Sequence, residues 1–335
     1  RIIKGKKVME NSTQQNKKYY NEITIAKGIG ILLVVLGHAL KQTGVSNVPR
    51  NALISIIYSF HMPLFFVLSG FVSVKILQYS KMTEYINYIK SRATRLLIPY
   101  FVMGILYMPL KYFMNRFAIN PYDFSQSWKL ILGDNPNTTM WFLYTLFWVS
   151  VIALILLRRS VLLPMLIISA ILSCTAFIFN WSFRIPKYLF FFILGIYIRD
   201  HYEKFIEIRK NKLIFILVAI TFIICNIVNY QMGRGEFITS VSGTILCMWF
   251  SLWLVEKNVK SYGVLKSLGD ASMDIYILSD PVQTVSRLAL WNILHMPNVL
   301  VIMLCFVSGT GISFIAAKYI LRRFKVFRIL LFGEC

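Results

Sequence analysis

Residues 25–38 read Ile25-Ala26-Lys27-Gly28-Ile29-Gly30-Ile31-Leu32-Leu33-Val34-Val35-Leu36-Gly37-His38, an apolar run broken by two ionisable side chains. With its flanks, Ile23 to Leu40, it is long enough to cross most of a ~30 Å hydrocarbon layer as a helix rising ~1.5 Å per residue. A cleaved signal peptide describes it poorly. The run is too long, lacks a small-residue cleavage site and is followed by further runs of the same kind. It reads as a retained first transmembrane helix.

Outward from that stretch the pattern recurs every 20 to 35 residues. Further apolar runs lie at Leu53 to Val74, Leu96 to Phe113, Met140 to Leu157, Val161 to Trp181 and Phe183 to Ile198. Four more follow at Leu213 to Tyr230, Phe237 to Val255, Ala271 to Leu290 and Asn298 to Leu321. The expected fold is all-α: a polytopic transmembrane bundle of about ten helices. Pro164, Pro186 and the shortness of the sixth run leave an alternative of eight or nine full spans with one re-entrant piece.

Composition excludes a soluble domain. Of 335 residues 57% are hydrophobic and only 15% charged, where a soluble chain carries roughly a quarter charged. The net charge of +22 raises nucleic acid as a partner, but the basic residues lie between apolar runs, with no solvated basic face interleaved with aromatics. Their placement instead follows the positive-inside rule. If the N-terminus is cytoplasmic, about 25 Lys and Arg fall inside and about nine outside, which gives N-in, C-in topology in a multi-pass plasma-membrane protein. Residues 1–20 form a polar basic tail and 21–335 a single transmembrane domain. The five cysteines show no paired or CxxC spacing, so neither a disulfide framework nor a metal site is legible. The loop from Asn115 to Thr139 carries Asn-Pro turn signals and is expected to form an ordered cap.

Chemistry is sought among polar residues that a bilayer excludes, since a charge at a helix centre costs ~2.5–3.5 kcal/mol on insertion scales. Lys27 and His38 lie eleven residues, ~16 Å, apart on the first span. Lys27 can snorkel to headgroups; His38 is too deep for that. His61 reaches similar depth on the second span, beside Pro63, which bends a helix and frees the carbonyl of Ser59. Ser69 and Gly70 serve either close helix packing or catalysis. Asp274 and Asp280 are carboxylates well inside the ninth span, and Asp280 orients an imidazole or binds substrate hydroxyls, or pairs with Arg287 seven residues on, readings that do not exclude one another. Arg92 and Arg95, at i and i+3, share a face where the third span begins, suited to phosphates of a nucleotide-like donor or to simple anchoring.

These residues bear a resemblance. Lys27-x10-His38, FHMPLFFVLSG from Phe60 to Gly70, RATRLLIPY from Arg92 to Tyr100 and the start of the fourth span at Trp141-Phe142-Leu143 occur in the order seen in the acyltransferase 3 family. A looser fifth match is LGDASMDIYILSDP, Leu268 to Pro281. The chain is similar, over roughly Asn21 to Leu321, to the sugar O-acetylase branch that includes fucose 4-O-acetylase relatives. It departs at Thr24, where many members carry Asp, and at Ser279-Asp280, where many carry His.

The resemblance implies transfer of an acyl group, usually acetyl, from cytoplasmic acetyl-CoA to a hydroxyl of an extracytoplasmic or lipid-linked glycan. For that reaction His38, by its depth and spacing, is the expected general base or transient acyl carrier, and His61, Ser69 or Asp280 orients it or stabilises the oxyanion. Lys27, Ser69, Arg92, Arg95 and Trp141 become donor- or substrate-binding residues. A transporter or flippase of a glycolipid precursor, built on the same intramembrane His, Asp and Lys, is the alternative from another class, and a catalytically silent partner domain is a third.

Overall fold

The computed structural model describes residues 20–42, 48–114, 122–233, 235–259 and 262–334. The basic tail, except Tyr20, therefore lies outside the described residues, as do residues 115–121 of the long loop and Cys335. Among the described residues there are fourteen α-helices and no strand. In chain order these are α1 (Asn21–Gln42), α2 (Val48–Val72), α3 (Met82–Arg92), α4 (Ile98–Met114), α5 (Trp141–Leu156), α6 (Leu162–Ile178) and α7 (Arg184–Asp200). The rest are α8 (Tyr202–Lys210), α9 (Lys212–Met232), α10 (Glu236–Glu256), α11 (Tyr262–Asp270), α12 (Ser272–Leu288), α13 (Asn298–Ile315) and α14 (Lys325–Phe332).

Each of the ten apolar runs coincides with a helix, and the molecule is a polytopic transmembrane helix bundle. Eight helical segments are long and apolar enough to cross a membrane. The other two are α7, with 17 residues, and α12, which carries Asp274, Asp280, Gln283 and Arg287. Burial separates inner from outer helices. In the apolar window of Asn21–Lys41 67% of residues are buried, against 6% in that of Lys212–Met232. The exposed row Ile216, Leu217, Ile220, Ile223, Ile224 and Ile227 makes α9 a lipid-facing helix. At the centre, α2 packs against α1, α7 and α10, while α1 also meets α11, α12 and α13.

Local sequence explains the tightest contacts. A Cβ on Gly70 would lie 1.9 Å from the Phe192 carbonyl oxygen, and one on Gly195 would lie 2.0 Å from that of Val67. The α2–α7 crossing thus brings backbone against backbone, which only small residues permit. Pro63 cannot donate to Ser59, yet the freed carbonyl is not left bare. The Ser240 hydroxyl of α10 donates to it at 2.5 Å, as a buried acceptor requires. Pro164 and Pro186 both fall in the first turns of α6 and α7, where the missing N–H has no intrahelical acceptor to lose. The segment Val161 to Ile198 is accordingly a hairpin of two complete helices, turned through Asn180 at φ +46°.

The loop between α4 and α5 is ordered over its described part. Asp123 accepts from the amide and hydroxyl of Ser125 and opens a short helix, Phe124–Leu132. The Ser125 hydroxyl and amide hold the Asp123 carboxyl below its usual range. Asn135 Nδ2 donates to the Tyr100 carbonyl at 2.9 Å, and the Tyr100 hydroxyl donates to that of Leu130 at 2.9 Å. These bonds seat the cap on α4.

Candidate active site

The helix carrying Arg92 and Arg95 is not a regular one. Between α3 and α4, Ala93–Leu97 forms a π turn in which the Ile98 amide donates to the Ala93 carbonyl, five residues back. Pro99 sits one residue on and cannot donate to Arg95, so the ordinary ladder is already broken there. Such π insertions cluster at functional sites. The expected i, i+3 geometry is thereby replaced by a wider turn, and both arginines still reach one cavity.

That cavity lies at the proximal end of the bundle, where α1 begins and α2 finishes. Lys27 of α1, Ser69 of α2, Arg92 and Arg95 all line it. None of its lining residues is acidic. Arg92 is held in place: it donates to the Ser73 hydroxyl, which donates in turn to the Ser69 carbonyl at 2.7 Å, and its guanidinium lies 5.1 Å from the Tyr88 ring centroid. Lys27 and Arg95 make no hydrogen bond or ion pair among the described residues. Farther in, the walls become apolar, with Met62, Phe65, Phe142, Leu146, Met273 and Tyr276. The Tyr276 hydroxyl is taken by the Thr139 carbonyl, so it presents a ring to the cavity with its polar atom already satisfied.

His38, His61 and Asp280 are not part of this lining. They form a second cluster, displaced toward the distal end. Phe65 is one helical turn from His61, and Tyr276 one turn from Asp280, ~6 Å in each case. Tyr58 joins the two histidines: its ring lies 6.3 Å from that of His38 and 4.9 Å from that of His61, edge-on to both. His61 Nδ1 lies 2.7 Å from the Ile57 carbonyl oxygen. A carbonyl can only accept, so Nδ1 carries the proton and Nε2 of the neutral ring keeps its lone pair. Asp280, 7% exposed, accepts from the Tyr107 hydroxyl at 2.9 Å and lies within Coulombic reach of His38 and Tyr58.

Trp141 is placed elsewhere. Its ring stacks obliquely on Tyr188 at 5.2 Å, beneath the Arg184 guanidinium at 4.8 Å, while its neighbour Phe142 faces the cavity. One residue on a helix turns a side chain by about 100°, which suffices to exchange the two. Gly70 is a packing residue against α7, whereas Ser69 belongs to the cavity wall. Sequence reasoning missed Tyr58, Ser73 and Tyr107. Tyr58 carries a signal in hindsight, since it lies one turn before His61 on the same helix. Tyr107 carries none.

A family model described as an acyltransferase domain, that of acyltransferase 3, matches residues 20–318. The nodulation protein NolL of Mesorhizobium japonicum is 32% identical over 136 residues, which take in 40% of this chain and 34% of that protein. The matched stretch thus spans about a third of that curated relative's length. No solved structure matches the chain.

Proposed function

The chain belongs to the acyltransferase 3 family, and from that premise we propose that this membrane acyltransferase moves an acetyl group from cytoplasmic acetyl-CoA to a hydroxyl of a cell-surface or lipid-linked glycan. The observation that carries the reading is the cavity. Three cations and no acid line it, its depth is apolar, and it stops about one helical turn short of two histidines and a carboxylate. A phosphate-rich head followed by a thin, mostly apolar arm fits that gradient. With the N-in topology read from the basic residues, the proximal end is cytoplasmic and faces the compartment that contains CoA. The distal cluster then faces the plasma-membrane surface where the glycan lies.

In this reading Arg95, Arg92 and Lys27 hold the anionic groups of CoA as charge-assisted hydrogen-bond donors. The thioester reaches the layer of Met62, Phe65 and Tyr276. His38, as general base, takes the proton of the acceptor hydroxyl while its oxygen attacks the thioester carbonyl carbon. The C–O bond forms, the C–S bond breaks, and the proton passes from the imidazolium to the departing CoA thiolate. General base assistance of this kind contributes ~10²–10⁴-fold. The Asp280 carboxylate lies within reach of the transient imidazolium, and His61 Nε2 offers a second acceptor beside it.

The test is direct. Purified protein is heated with and without CoA, and membranes are supplied with radiolabelled acetyl-CoA to follow label into glycan. CoA is expected to raise the melting temperature, by ~2.7 kcal/mol of stabilisation at a hundredfold excess over Kd. His38→Ala should keep that shift and lose transfer. Stabilisation by glycolipid alone, without CoA, would point to the transporter reading. Full transfer by His38→Ala would remove the proposed base.

A further inference from the structure

Beside the cavity, one buried carboxylate is kept away from the cations that line it. Asp274, in the first turn of α12, is 3% exposed and lies within Coulombic reach of Arg95. It does not pair with Arg95. Both of its oxygens are taken by Arg322: Nε to Oδ2 at 2.7 Å and Nη2 to Oδ1 at 2.9 Å. This is a two-point fork of the kind that a guanidinium makes and an ammonium cannot. The third nitrogen of Arg322, Nη1, donates to Glu334 at 2.6 Å, and the guanidinium lies 5.0 Å from the Phe332 ring centroid.

The segment that steadies Arg322 also touches the turn that carries Arg95. Leu331 and Phe332 of α14 are buried in the core. Gly333 follows at φ +63°, and a Cβ there would lie 2.3 Å from the Thr94 carbonyl oxygen and 2.5 Å from the Arg95 Cα. Gly333 therefore packs on the π turn with no room for a side chain, while Glu334 returns to Arg322. The arrangement spends one arginine, with a glutamate behind it, to satisfy one aspartate.

We propose that Arg322 is a positioning residue for the acyl donor: by forking both oxygens of Asp274 it withholds that carboxylate from Arg95, leaving the Arg95 guanidinium for an anionic group of acyl-CoA. The inference rests on the reading of the cavity as the donor site. Without Arg322, a buried carboxylate would sit unpaired next to a cation, and Arg95 is the cation on the nearest wall. An internal anion would then compete with the donor for it.

CoA itself is the probe, titrated into the purified full chain, with the ligand-free melting temperature recorded for each variant. Arg322→Gln is expected to weaken CoA binding about tenfold or more, the scale of one lost charge-assisted contact. Asp274→Asn with Arg322→Gln removes the competitor together with its shield, and should return CoA affinity to within about threefold of wild type. Asp274→Asn alone should leave CoA affinity unchanged. Wild-type affinity in Arg322→Gln overturns the proposal, and so does a double variant as weak as the single one, which would make Arg322 a purely structural residue. If Arg322→Gln does not fold, Arg322→Lys takes its place. It keeps the charge but reaches one oxygen, and is expected to bind CoA with intermediate affinity; equality with wild type overturns the proposal. Failure of CoA to bind the wild-type chain is a different result, because it removes the donor reading on which the inference rests.

Discussion

Replacing Arg95 and Arg92 one at a time separates donor binding from anchoring, because the two side chains are held so differently. Arg95 makes no hydrogen bond or ion pair among the described residues and opens on the cavity. Arg95→Ala therefore removes nothing that the folded protein uses for itself. If the side chain meets a CoA phosphate, the loss is one charge-assisted contact, ~1.5–3 kcal/mol. Arg95 is solvent-exposed at the cavity wall, so the lower part of that range applies, about 1.5–2 kcal/mol, or a roughly 10- to 30-fold weaker Kd for CoA. Its melting temperature without ligand should stay at the wild-type value. Arg92→Ala is different: it also breaks the bond to Ser73 and the stacking over Tyr88, and should cost about 1–2 kcal/mol of stability besides. The assay is calorimetric titration of CoA into detergent-purified protein, paired with a thermal melt of the same sample. Unchanged CoA affinity in both variants, with the melts behaving as stated, would leave the arginines as interfacial anchors and refute the assignment.

Three further outcomes are expected. Ser240→Ala leaves the Ser59 carbonyl that Pro63 frees without a donor, costing about 1–3 kcal/mol in a thermal melt; adding Pro63→Ala, which restores a helical donor, should recover most of it. Gly195→Ala forces α2 and α7 apart and should destabilise by about 1–3 kcal/mol or more, whereas Gly311→Ala, where nothing lies within 4 Å of the added carbon, should be neutral or stabilising. Tyr107→Phe takes away the hydroxyl that Asp280 accepts from and, on the proposed mechanism, should lower acyl transfer at saturating donor while CoA affinity holds; an unchanged turnover rate would remove this hydrogen bond from the mechanism.

Much of the fold was legible because it depends on one-dimensional quantities: the length of apolar runs, the helical rise, and the position of prolines. The same quantities placed Lys27, Arg92 and Arg95 at the inner ends of their spans and His38 and His61 at a similar, deeper level. Contacts between distant helices were not legible. Nothing in the neighbourhood of Asp280 points to Tyr107 on α4, and nothing near Asp274 points to Arg322 beyond α13. The π turn had one trace in the sequence, Pro99, and its effect on side-chain direction needs coordinates. Trp141 shows the limit of a motif: the resemblance located the right turn of α5, but the side chain that faces the cavity belongs to Phe142.

Hydropathy undercounts a bundle of this kind for a physical reason. A helix that faces lipid must be apolar around most of its circumference, whereas α12 buries Ser272, Asp274, Ser279, Asp280, Gln283 and Thr284. It tolerates them because protein surrounds it. Gln283, 1% exposed, donates from Nε2 to the Val35 carbonyl of α1 at 2.8 Å and to the Cys305 carbonyl of α13 at 3.3 Å, so one amide ties three helices together. Val35 lies one turn before His38 and Gln283 one turn after Asp280, which makes this clamp the element that fixes α12 against α1 at the level of the histidine. A helix polar enough to carry the chemistry is for that reason only marginally apolar as a span, and its partners α1 and α13, which are plainly apolar, supply the cover that lets it stand in the membrane.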